Sequence, residues 1–144
     1  MKNIIVIYHK NCPDGMGAAT VAYKKFGDSA EYIACSYGDD LPEYVVQHDD
    51  KKSTEIYVLD FSFDKEVMEK WQTEFRKLIV IDHHISRKEA VVSTKNGIFD
   101  NTKSGAMLTY IHFFGEDNIP NAIKMLQTID LNMDGYAELD LISY

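Results

Sequence analysis

Positive charge is scarce in this chain: 15 Lys and Arg stand against 23 Asp and Glu, a formal net charge of −8. That balance argues against a long groove for duplex nucleic acid, because following a phosphate backbone needs a clustered cationic excess. A short anionic substrate held by cations is compatible with it. Cysteine is just as sparse. Cys12 and Cys35 lack a metal-type Cys-x-x-Cys spacing, so no disulfide scaffold is expected and a reducing cytoplasm is the natural location. No apolar run is long enough to span a membrane, and Met1 to Val6 is too short for a secretory signal, so no membrane partner is expected. Linkers and repeats are also missing, and 144 residues suit one domain with a real hydrophobic core.

What is present is a set of short aliphatic runs that each stop at a polar residue. Ile4-Ile5-Val6-Ile7-Tyr8 stops at His9, Glu55-Ile56-Tyr57-Val58-Leu59 at Asp60, and Leu78-Ile79-Val80-Ile81 at Asp82-His83-His84. Such runs read as buried strands of a parallel sheet. Strands alternate with helical segments, so the fold class is α/β, a mostly parallel sheet with helices on both faces. Glu31 to Cys35 is a further strand and Gly97 to Asp100 a short edge segment.

The helices are read from spacing. Met16, Ala19, Tyr23 and Phe26 form the expected buried stripe of the first, and Val67, Met68, Trp71 and Phe75 that of the second, with Ser62 or Asp64 as its cap. Ser104 caps a third helix burying Met107, Leu108, Ile111 and Phe114. Asn118 and Pro120 open a fourth, with Ile123, Leu126 and Ile129 on its apolar face, ending near Asp130. His48, in a polar loop, is expected to be exposed, and His112 to be exposed or satisfied in the core.

Parallel strands deliver their ends to one edge, where ligands of open α/β sheets bind. His9, Asp60 and Asp82-His83-His84 would meet there, joined by Asp14 from the first loop. Imidazoles and carboxylates in one crevice suit divalent ions. Asp-His-His taken alone fits a solvated strand end equally well. Lys103, Ser104 and the amides of Gly105 and Ala106 offer an anion-binding helix start, and ordinary capping explains Ser104 as well.

Taken in order, these segments resemble the DHH phosphoesterases. The first motif of that family, His-x-x-Asp-x-Asp-Gly, is matched by His9-Lys10-Asn11-Cys12-Pro13-Asp14-Gly15, the second by Leu59-Asp60-Phe61-Ser62, and the third by Asp82-His83-His84. The His-x-x-Cys-x-Asp-Gly form and the segment Phe99 to Ala106 look like one subgroup. The resemblance implies a Rossmann-like DHH-type catalytic domain over residues 1–144, with the family's C-terminal substrate-binding domain absent, since Leu131 to Tyr144 holds no Lys, Arg or His.

It further implies that His9, Asp14, Asp60, His83 and Asp130 are metal ligands, with Asp60 bridging and Cys12 standing where many members place a carboxylate ligand. Asp82 would hold His83 in one tautomer, and His84 would face the scissile phosphate. Asp60, Asp82 and His84 are thus the catalytic set, and His84, Lys103 and Ser104 the substrate contacts. The implied cofactor is a pair of divalent ions, Mn2+ first, with Mg2+ or Zn2+ as alternatives and Cys12 favouring softer ions. The implied activity is two-metal hydrolysis of a small phosphodiester or phosphoanhydride: a short oligonucleotide, a cyclic dinucleotide or pyrophosphate. The alternative is a catalytically impaired metal- or nucleotide-binding module, or a subunit that needs a partner to complete its cleft. Tyr136, Leu139, Leu141 and Tyr144 could pack against a second copy, making a homodimer.

Overall fold

The computed structural model describes residues 1–131. Tyr136, Leu139, Leu141 and Tyr144, on which the expected dimer contact rests, lie outside the described residues. The elements are β1 (Ile4–His9), α1 (Pro13–Phe26), β2 (Glu31–Cys35), α2 (Glu43–Val46), β3 (Glu55–Leu59), α3 (Lys65–Glu74), β4 (Lys77–Asp82), α4 (Lys88–Val92), β5 (Gly97–Phe99), α5 (Gly105–Phe114) and α6 (Asn121–Leu131). The five strands form one sheet in the order β2-β1-β3-β4-β5, and every pairing is parallel. This is the α/β class the aliphatic runs predict.

Side chains on a strand alternate between faces, and here each face has its own core. Ile5, Ile7, Ile56, Val58, Leu78 and Val80 point to the side covered by α2, α3 and α4, where they pack with Val45, Met68, Trp71 and Val91. Val6, Tyr57, Leu59, Ile79 and Ile81 point to the other, against Ala18 and Ala22 of α1 and Leu108 of α5. A third cluster joins Val21, Ala106, Met107, Tyr110 and Ile123, and so docks α6 onto α1 and α5. Both faces are therefore dry, which is why the strands read as unbroken apolar runs. Among the described residues, no helix is long and apolar enough to cross a membrane.

Several expectations need correction. Helix α1 buries Ala18, Val21 and Ala22, whereas Met16 and Tyr23 are exposed. Small residues let the helix approach the sheet, and the Tyr23 hydroxyl instead donates to Asp28 at 2.8 Å. His48 is buried: its Nε2 lies 2.7 Å from the Lys2 carbonyl, and its Nδ1 accepts the Asp50 amide at 3.0 Å. Nδ1 being an acceptor, Nε2 carries the proton and donates to Lys2. Phe114 and Ile129 are exposed, while Met107, Leu108 and Ile123 are buried as expected. Asp64 occupies the N-cap of α3 without a side-chain cap bond, because its carboxylate accepts Arg87 Nη1 at 2.8 Å.

Candidate metal centre

Strand order reverses about β1, whose neighbours are β2 and β3, and the crevice beyond such a switch point is where open sheets bind ligands. His9 is the last residue of β1, Asp60 follows β3, and Asp82 is the last of β4. The Asp60 backbone has φ 55°, the left-handed region, in which Asp is one of the few tolerated non-glycine residues. Its amide still donates to the Ile81 carbonyl at 2.8 Å. The turn thus begins at Asp60 itself and holds its carboxylate at the sheet edge, fully buried.

Asp60 then faces two ways. Its Oδ2 lies 3.7 Å from His9 Nδ1 and 3.6 Å from Cys12 Sγ. Its Oδ1 lies 2.9 Å from His83 Nε2, which is also 3.3 Å from Asp14 Oδ2 and 3.4 Å from Asp130 Oδ2. Three ligand-competent groups result among the described residues, the triads His9–Cys12–Asp60 and Asp14–His83–Asp130 and the set Asp60–Asp82–His83–His84, each with donor atoms within 4.8 Å of one another. All six residues expected as metal ligands are therefore brought together. Cys12 is the N-cap of α1 but makes no side-chain cap bond, and Pro13 at the first helical position has no N–H in need of an acceptor, so the thiol is left to donate to Asp60 Oδ2.

The helix start at Ser104 does bind an anion, but that anion is Asp14. The Gly105 and Ala106 amides each donate to a different Asp14 oxygen at 2.8 Å, and the Ser104 hydroxyl accepts the Met107 amide at 3.1 Å. The positive end of α5 thereby fixes a carboxylate of the cluster, and no amide of this turn is left for an outside anion. Lys103 donates to Asp100 at 3.0 Å on the surface. The expected substrate contacts at Lys103 and Ser104 give way to these internal bonds. Gly105 makes the approach feasible: a Cβ there would stand 2.5 Å from Asp60 Cβ and Oδ1.

Asp82 also differs from expectation. Its Oδ1 accepts His84 Nδ1 at 2.6 Å and the His83 and His84 amides at 2.8 and 3.3 Å, so it orients the ring of His84 and not that of His83. The His84 ring is perpendicular to that of His9 at 5.8 Å. Two residues absent from the sequence reading frame it. The Tyr37 hydroxyl is 3.4 Å from His84 Nδ1, and its ring is stacked on Phe61 at 4.6 Å with the Arg87 guanidinium 4.5 Å from its centre. Arg87 stands one turn beyond His84, and that spacing was the available signal.

The electrostatics match this geometry. Burial opposes charge on His83, but the close carboxylates of Asp14 and Asp60, and then the Asp130 charge, outweigh it and push the ring up to about 10. Burial acts against ionised Asp60 too, yet His83 and His9 bring it well below the usual carboxylate range. Burial, then the Asp14 charge, raises Asp130 to about 6, and burial raises Cys12 to about 11. Hydrogen bonding to Asp82 is the first cause raising His84.

Four buried polar atoms among the described residues have no hydrogen-bond partner: His9 Nδ1, Asp60 Oδ1, Asp82 Oδ2 and His83 Nε2. All belong to this one cluster. Each such atom costs about 1–3 kcal/mol, a penalty a native fold retains where something else satisfies it. Lone pairs of imidazole and carboxylate converging within ligand distance of one point fit a divalent cation. A concavity of about 480 Å³ along α6 is lined, among the described residues, by Asn121, Lys124, Met125, Thr128 and Ile129, which offer no comparable donor set.

No family model matches the chain. It is similar to an uncharacterized protein of Acanthamoeba polyphaga mimivirus, with 28% identity over 138 residues, 88% of this chain and 33% of that protein. It is also similar to the crystal structure of an uncharacterized protein from Helicobacter pylori, with a TM-score of 0.70 at 17% identity, covering 91% of this chain and 43% of the other. The chain thus spans about a third of the curated relative and under half of the solved chain. What the structural likeness shows is the α/β fold.

Proposed function

We propose that this chain is a metal-dependent phosphoesterase of the DHH type, acting on a small phosphodiester or phosphoanhydride such as a short oligonucleotide, a cyclic dinucleotide or pyrophosphate. The observation that carries the reading is Asp60, whose two oxygens face two separate triads of ligand atoms. The residues fit a pair of divalent ions, with His9, Cys12 and Asp60 holding one and Asp14, His83 and Asp130 the other. Mn2+ is the first choice overall. When bound, such a pair supplies Lewis acidity at a phosphoryl oxygen and a nucleophile at neutral pH.

The chain's own residues do the rest. Asp14, pinned by the α5 amides, and Asp60, pinned by its backbone turn, keep the ligand oxygens in place. Asp82 fixes His84 through Nδ1, which leaves Nε2 as the nitrogen that meets a substrate. With its charged form favoured by Asp82, His84 can offer an N–H to a phosphoryl oxygen or a proton to the leaving oxygen. Tyr37 and Arg87 border this position, and the guanidinium, ion-paired with Asp64 through Nη1 and lying over the Tyr37 ring, adds positive charge beside it. Two free thiols suit a reducing cytoplasm as its location.

A second reading is favoured by Cys12, a thiol raised to about 11 where a carboxylate ligand is usual in the family it resembles. In that reading the chain is a metal- or nucleotide-binding module, or a subunit completed by a partner. Thermal shifts with Mn2+, Mg2+ and Zn2+ followed by phosphate release from dinucleotides, cyclic dinucleotides and pyrophosphate separate the two. Turnover that requires metal supports the phosphoesterase. Strong metal stabilisation with no turnover on the whole panel supports the binding module, and no stabilisation by any metal removes the phosphoesterase.

A further inference from the structure

Asp60 divides the cluster into halves of different chemistry. On one side stand a nitrogen, a sulfur and an oxygen, from His9, Cys12 and Asp60; on the other, two carboxylates and one imidazole, from Asp14, His83 and Asp130. The nitrogen and the sulfur converge on one atom, Asp60 Oδ2, at 3.7 and 3.6 Å. Crowding alone does not explain this half. His9 Nδ1 is buried without a hydrogen-bond partner, and the fully buried Asp60 Oδ2 that it faces takes only the long contact from the Cys12 thiol, at 3.6 Å. Thiolate donors select zinc and ferrous-type ions, whereas carboxylate-rich sets suit manganese and magnesium.

We propose that the centre is a mixed one: the His9–Cys12–Asp60 half takes a thiophilic divalent ion of the zinc or ferrous class, the Asp14–His83–Asp130 half takes a hard ion of the manganese class, and Asp60 serves both. This rests on the metal-centre reading given above but not on the reaction assigned to it. Cys12 ligates as thiolate and passes its proton to solvent on loading. The other cysteine cannot supply the sulfur, because Cys35 is packed among Ile5, Ile7 and Val45 in the core beneath the sheet.

The test is optical and compositional. Metal-free protein titrated with Co2+ is expected to develop the near-ultraviolet thiolate-to-cobalt absorption, and Cys12→Ser, with circular dichroism unchanged, is expected to lose it. After dialysis against mixed Zn2+ and Mn2+, the wild-type chain should retain about one equivalent of each, Cys12→Ser manganese alone, and Cys12→Asp manganese in both halves. Co2+ binding without the charge-transfer band, or retention of two like ions from the mixture, would overturn the mixed centre while leaving a metal centre in place. No retained metal under any condition would remove the metal-centre reading, and this inference with it.

Discussion

Asp60 Oδ1 and His83 Nε2 lie 2.9 Å apart in a fully buried setting, yet neither atom has a well-directed hydrogen bond. Two groups so close and so poorly aligned are held by charge and by the chain around them; the carboxylate has a lone pair to give, and His83 gains one on releasing its proton. The consequences of that arrangement can be measured.

Asp60→Asn keeps the shape of the side chain and a residue tolerant of the left-handed backbone, so the fold is expected to survive. One of the two facing oxygens becomes an amide nitrogen that cannot ligate. Mn2+-dependent hydrolysis of a model phosphodiester should fall by about 100-fold or more, with circular dichroism unchanged. Full activity in a folded Asp60→Asn protein would remove the shared-carboxylate assignment.

Stability of the metal-free protein should depend on pH through His83. Its folded-state pKa is raised from 6.5 to about 10 by the surrounding carboxylates, so the folded state binds this proton more tightly than the unfolded chain does. The stabilisation is fully present below pH 6.5 and is lost as pH rises through about 10. Denaturant titrations of chelator-treated protein across that window should show falling stability in the wild type and a flatter profile in His83→Gln. The same proton must leave when a cation binds, so calorimetry in buffers of different ionisation enthalpy should register proton release.

Asp14→Asn tests the double use of one carboxylate. An amide side chain can accept from Gly105 or Ala106 but not from both, because its nitrogen is itself a donor. One buried N–H is then orphaned, at a cost of about 1–3 kcal/mol, read as a lower melting temperature even without metal. Unchanged stability of the metal-free variant would mean that the α5 amides do not depend on Asp14.

Asp82→Asn separates orientation from ligation. The charge that favours protonated His84 disappears, so the pKa of His84 moves down and the alkaline limb of the pH–rate profile, where the protonated ring is lost, shifts to lower pH. Turnover is expected to drop by about 10–100-fold with bound metal retained, as for other partners that steer an active-site imidazole. Loss of metal in place of turnover would show that Asp82 ligates directly through its unpartnered Oδ2.

The sheet was legible because strands covered on both faces need no polar alternation, and Ile4 to Tyr8 or Leu78 to Ile81 can then be read by eye. Their polar ends were legible for the same reason. Helices α2 and α4 went unseen, since four and five residues are too few for a helical period to show. On α1 Met16 and Tyr23 lie on the outer face while Phe26 packs at the edge of the core, and the inner face is written in Ala18, Val21 and Ala22, small residues that an eye for bulk passes over. The partner of Asp82 could have been found: side chains alternate along an extended chain, so Asp82 and His84 share a side and His83 does not. The bonds from Lys2 to His48 and from Asp14 to α5 join residues 46, 91 and 92 positions apart, and nothing local in the chain announces them.

The grip of Asp14 on Gly105 and Ala106 reaches beyond ligation. Amides in the first turn of a helix have no partner within it and ordinarily trade their hydrogens with solvent quickly. These two are sealed at the middle of the domain by a carboxylate far upstream, so they should be among the slowest to exchange deuterium, and they should open together with the first turn of α1 as one cooperative unit.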